Sequence, residues 1–219
     1  LAIVSTMLFF GKVADTAGLK NVFVAGYALF ALGSLLCGFA TNLTFLVLSR
    51  SIQGLGGSML YISGYAIISA FVPDRRRGRA FGIISTAVGL GLMLSSPLGG
   101  FITEYLSWHW VFLVNVPFCI IAILLSLKVI PDEKNQNMSV REGFKRFDIQ
   151  GALLCFTGLF ALVFALNKGA KTGWYSSSFI IPMIISVCAI SMFIINEKRH
   201  PNPIMNLDIF FNKNLWLET

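Results

Sequence analysis

Residues 43–72 read LTFLVLSRSIQGLGGSMLYISGYAIISAFV. The stretch carries one charged residue, Arg50. A bilayer core about 30 Å thick is crossed by about 20 apolar residues in a helix. Hydrocarbon offers no water to the backbone, so such a span must bond its own N–H and C=O groups, as a helix does. Residues 21–40, 80–103, 108–127, 149–167 and 172–196 repeat the pattern with no Asp, Glu, Lys or Arg at all. A cleaved leader has one shorter run, so processing does not explain six long ones. Leu1–Phe10 is too short to cross and reads as the end of a span that begins upstream. Phe210–Leu217 reads as the approach to another.

Composition agrees. The 219 residues are 56% apolar and 12% charged, where a soluble domain carries about 25% charge. A soluble single domain, a disordered chain and a disulfide scaffold are all excluded on that ground. The net charge of +7 has a simple origin. Most Lys and Arg residues fall in alternate loops, at 11–20, 73–79, 128–148 and 197–219. Basic loops stay on the cytoplasmic side, so these loops are expected there and the protein is expected to be multi-pass in the cell membrane. A nucleic-acid partner would need a contiguous basic face, and none is visible. In the longest of these loops, Val140, Phe144 and Phe147 alternate with Arg141, Lys145 and Arg146. That pattern fits a short interfacial helix on anionic lipid or an ordinary basic loop.

Sites of chemistry are sparse. Cys37, Cys119, Cys155 and Cys188 lie in apolar runs without metal-ligand spacing, and read as packing residues. His109 sits between Trp108 and Trp110 at a span end, an interfacial setting. Gly54, Gly56 and Gly57 do not complete a dinucleotide fingerprint. No nucleophile elbow is present. No enzyme, metal or cofactor is expected.

Arg50 carries the most information. A cation inside a span is costly and usually faces a bundle interior or aqueous cavity; the alternative is snorkelling to the interface. Arg50, Gln53, Gly54 and Gly57 are spaced to share one helical face. That face joins a cation and an amide to two points where another backbone can approach. In residues 80–103, Gly82, Ser85, Gly89, Ser96 and Gly100 form a seam of small residues, which suits close helix packing. Pro97 withholds an N–H from the carbonyl of Met93 and is a candidate kink. In the first basic loop, Gly11 and Gly18 bracket what reads as a tight turn around Asp15.

Four stretches together resemble the major facilitator superfamily of secondary transporters. Gly11 to Lys20 resembles its G-x-x-x-D-x-x-G-x-[KR] loop between the second and third helices. Arg50-Ser51-Ile52-Gln53-Gly54-Leu55-Gly56 resembles the fourth-helix R-x-x-Q-G-x-G. Ser96-Pro97-Leu98-Gly99-Gly100 is similar to the fifth-helix antiporter signature. Trp108 to Pro117 is similar to the W-R-W-x-F-x-x-N-x-P stretch at the sixth helix. Two further spans after Phe147-Asp148-Ile149-Gln150-Gly151 resemble the 14-helix drug/proton antiporter branch.

The resemblance implies an all-α membrane helix bundle, partial here, with six full spans and one truncated span. Residues 1–130 would belong to the N-terminal bundle and 131–148 to a cytoplasmic loop. Residues 149–196 would form two additional central helices, and 197–219 a linker toward a C-terminal bundle. It implies that Arg50, Gln53, Gly54 and Gly57 serve proton coupling and the substrate cavity. Gly11, Asp15, Gly18, Lys20 and Arg79 would form a cytoplasmic conformational lock. Ser96, Pro97, Gly99 and Gly100 would shape a fifth-helix hinge. Thr16 and Leu19 depart from the family's basic loop positions, and Ser96 replaces the antiporter glycine. Apart from Glu104 at an outer helix end, no carboxylate falls in these spans. A proton carrier is therefore expected outside them. The implied activity is proton-coupled efflux of amphiphilic or cationic small molecules. The partners would be substrate, protons, lipid and the other half of the transporter. Uptake on the same scaffold and a non-transporting membrane fragment remain the alternatives.

Overall fold

The computed structural model describes residues 2–131 and 149–199. The basic pattern at 139–147 and the approach at 210–217 lie outside them. The described residues are helical: α1 (Ala2–Ala17), α2 (Leu19–Gly38), α3 (Leu43–Phe71), α4 (Asp74–Tyr105), α5 (Trp110–Leu113), α6 (Asn115–Val129), α7 (Ile149–Thr172) and α8 (Ser177–Arg199). Taking α5 and α6 together, six stretches are long and apolar enough to cross a membrane. The chain divides into two compact units, Val13–Gln136 and Leu1–Lys12 with Asn137–Thr219. Each is described by itself.

In the unit 13–136, local chemistry sets the helix ends. The turn expected between Gly11 and Gly18 is narrower than its glycines suggest. Gly11 lies within α1, and the break falls at Gly18 alone, whose φ is 91°. Glycine adopts that backbone without a Cβ clash. Asn42 starts α3, its side-chain oxygen accepting the Phe45 N–H at 2.8 Å. Val72 ends α3 in an extended conformation, as the residue before a proline prefers. Arg77 then reaches back from α4. Its Nε donates to the Val72 carbonyl at 3.0 Å and its Nη2 to that of Ser69 at 2.6 Å. It also pairs with Asp74.

The expected span 108–127 is divided at Val114. Pro117 explains the division, since it has no N–H for the carbonyl four residues earlier. Pro97 has a milder effect: α4 continues through it as one helix.

The core of this unit is α2 against α3, with α6 and α5 also on α2. Small residues permit the approach. A Cβ on Gly56 would lie 2.5 Å from the Phe30 nitrogen, and one on Gly26 would lie 3.0 Å from the Met59 Cβ. Gly38 passes under Leu113. In contrast, no residue of α4 is buried, and a Cβ at Gly82, Gly89, Gly91, Gly99 or Gly100 would meet nothing within 4 Å among the described residues. The seam is an open face in this unit.

In the other unit, α7 and α8 form a hairpin around Gly173, whose φ is 94°. Ala161, Ala165 and Ala189 are buried, and Ser186 Oγ donates to the Gly158 carbonyl at 2.9 Å. The helix boundaries correct the expected spans: α7 continues to Thr172 and α8 starts at Ser177. The absence of carboxylates from the spans is also corrected. Glu197 lies in the last turn of α8, only 3% exposed, within electrostatic reach of Cys155 on α7. An apolar run marks where lipid begins and ends, whereas the helix and its packing extend one turn further.

Candidate functional site: a guanidinium held inside a span

Arg50 stands two turns into α3 and its side chain is exposed within the described residues. Its Nη1 donates to Gln53 Oε1 at 2.9 Å. The i, i+3 spacing read from the sequence produces this contact. Gln53 is 5% exposed, and its amide continues the chain, Nε2 donating to Ser34 Oγ on α2 at 2.7 Å. Ser34 is fully buried. Ser49, also buried, donates back to the Phe45 carbonyl at 2.8 Å. In apolar surroundings an unbonded amide is expensive, so the serine hydroxyl is what allows Gln53 to be buried.

The guanidinium has a second neighbour. Its central carbon lies 4.5 Å from the centroid of the Phe112 ring on α5. That is within the range of a cation–π contact. Phe112 is buried, and Trp108 presents an edge to it at 6.1 Å between centroids. His109 Nε2 lies 3.3 Å from the Ala40 carbonyl at the end of α2. The aromatic run 108–112 therefore does more than mark an interface: it places a ring on Arg50.

The other expected site residues separate into groups. The backbone approach expected at Gly54 and Gly57 is made by Gly56, with Gly26 and Gly33 of α2. Gly57 lines a cleft of about 300 Å³ among α2, α3 and α4, with Phe23, Tyr27, Tyr61, Tyr65 and Val88 around it. Tyr65 stacks on Phe81 of α4 at 5.8 Å. Among the lock residues, Lys20 lies on α2 and Arg79 is exposed on α4. Asp15 belongs to α1, but its side chain lies outside the described residues. Ser96, Pro97, Gly99 and Gly100 lie together on the unburied α4.

The sequence alone assigns no role in the site to Ser34 or to Phe112. Ser34 had a signal, a hydroxyl inside an otherwise apolar run. Phe112 stands at the F of the W-R-W-x-F-x-x-N-x-P resemblance, which marks its position but not its contact with Arg50. No cluster of His, Cys, Asp and Glu suited to a metal occurs among the described residues.

The riboflavin transporter RibZ of Clostridioides difficile (strain 630) is 33% identical over 98% of this chain and 44% of its own length. Multidrug resistance protein 3 of Bacillus subtilis (strain 168) is 33% identical over 97% of this chain and 41% of its own. The chain thus spans less than half the length of these relatives. The sequence profile of the Major Facilitator Superfamily matches residues 1–199. With six membrane-crossing helices and four family signatures along them, this chain belongs to the major facilitator superfamily.

Proposed function

We propose that the transporter containing this chain exports amphiphilic or cationic small molecules across the cell membrane in exchange for protons, by alternating access. The observation that carries the reading is Arg50. It is a permanent cation inside a span, hydrogen-bonded to Gln53 at 2.9 Å while much of its surface stays open. A cation so placed lowers the pKa of a carboxylate that approaches it, which links a proton's release to that approach. Substrate, protons and lipid are the partners, and a second helical bundle completes the cavity at the bilayer midplane. The basic loops 11–20, 73–79, 128–148 and 197–219 face the cytoplasm on this reading. Gly11, Asp15, Gly18, Lys20 and Arg79 act there as a lock, and the α4 segment at Ser96–Gly100 acts as a hinge. The resistance protein among the relatives supports export.

The test is dye efflux from cells making the full-length transporter, with and without an ionophore that collapses the proton gradient. Export predicts dye accumulation on collapse, and the Arg50→Ala variant should resemble the collapsed state while inserting normally. Wild-type efflux by Arg50→Ala would remove the assignment. A second reading, uptake on the same scaffold, is favoured by the riboflavin transporter among the relatives. It predicts that collapse lowers accumulation.

A further inference from the structure

We infer that Phe112 is a positioning residue for Arg50, its ring face fixing the direction in which the guanidinium presents its free N–H donors. The inference rests on the proposed transport reading for its functional consequence, and on the geometry alone for the contact itself.

An arginine has several rotatable bonds and five N–H donors. Gln53 takes one donor, at Nη1. One hydrogen bond leaves the planar group free to turn about that bond. A ring whose centroid lies 4.5 Å from the guanidinium carbon supplies the missing constraint. It gives the group a second point of contact, away from the Gln53 bond. The attraction is stronger out of water, and Phe112 is 8% exposed. The ring is itself held: Trp108 packs edge-on at 6.1 Å, and His109 lies against the Ala40 carbonyl at 3.3 Å. Across the site, Ser34 holds Gln53 at 2.7 Å. Arg50 is thereby held between α2 chemistry, relayed through Gln53, and an α5 ring. No hydrogen bond from its other N–H donors to protein appears among the described residues. Those donors remain for whatever acidic or polar group the transport cycle brings.

Ring fluorination separates this role from simple packing. It withdraws electron density from the ring face while changing its shape little. Phenylalanine analogues with one, two and three ring fluorines are placed at position 112 of the full-length transporter by codon suppression. The first readout is thermal stability of the purified protein, with Arg50 and in the Arg50→Ala background. A stepwise fall with Arg50 that disappears in Arg50→Ala is expected, because a double-mutant cycle isolates the pair. Equal slopes in both backgrounds, or no slope, would overturn the contact. The second readout is efflux rate and its pH profile at equal membrane abundance. The trifluoro ring is expected to lower the rate by about five- to tenfold and displace the profile, and Phe112→Trp to retain it. A flat efflux series beside a falling stability series would reduce Phe112 to a packing residue. If Arg50→Ala itself transports normally, the proposed function fails, the positioning role in transport fails with it, and the stability cycle still decides the contact.

Discussion

Gly33 on α2 and Gln53 on α3 pass so closely that a Cβ on the glycine would lie 2.5 Å from the Gln53 backbone nitrogen. The residue that orients Arg50 thus stands at a point where two helix backbones nearly touch. Gly33→Ala must push α3 aside, since the obstructing atom is backbone. Overpacking of this kind costs about 1–3 kcal/mol. The variant should show lower folded yield, a lower Tm and impaired Arg50-dependent efflux. Gly64→Ala is the control, because its nearest neighbour, a Phe23 ring carbon, would be 3.6 Å away. It should match the parent in all three measurements.

Ser34→Ala removes the acceptor of a buried amide N–H. Leaving such a donor unpaired costs about 1–3 kcal/mol. The variant should unfold at lower temperature, and Gln53→Leu in the same background should recover part of the loss while lowering efflux. Stability and transport would then move in opposite directions. A Ser34→Ala protein with parental Tm would show that Gln53 needs no partner there.

Arg77 secures the corner between α3 and α4 through two carbonyls and Asp74. The ion pair is exposed and contributes little, so Asp74→Asn should be nearly silent. Arg77→Ala should cost about 1 kcal/mol through the lost carbonyl bonds. Faster amide exchange in the last turn of α3 is the measurement that detects it.

Sidedness has a direct check. Cysteine replaces Arg76 at the α3–α4 corner or Tyr175, which is 97% exposed, in the α7–α8 turn. The native cysteines are first exchanged for serine or alanine. A membrane-impermeant maleimide added to intact cells should label Tyr175→Cys, and should reach Arg76→Cys only after the membrane is opened. The reverse pattern would invert the proposed orientation.

Long uncharged runs located the spans, because charge is excluded from hydrocarbon wherever the helices pack. The Arg50–Gln53 contact was legible for a similar reason, being fixed by the pitch of one helix. The choice of Gly56 over Gly54 or Gly57 was not. It depends on where α2 crosses α3, which is set by the surfaces of both. The role of Phe112 escaped because it comes from a cation more than sixty residues earlier in the chain. Glu197 escaped because hydropathy falls before α8 ends. In each case the local pattern was sound and the missing information belonged to a partner.

The open face of α4 also constrains the order in which this part of the protein is made. α2 and α3 can pair as soon as Phe71 has entered the membrane, since every contact between them is already synthesised. α6 reaches α2 only after α4 has been translated and inserted. During that interval α4 meets α3 through Arg77 at the corner and Phe81 on Tyr65, without burying a residue of its own. Assembly of the unit is therefore discontinuous: a nucleus of two neighbouring helices waits for a third, and the helix in between adds no buried residue to that nucleus.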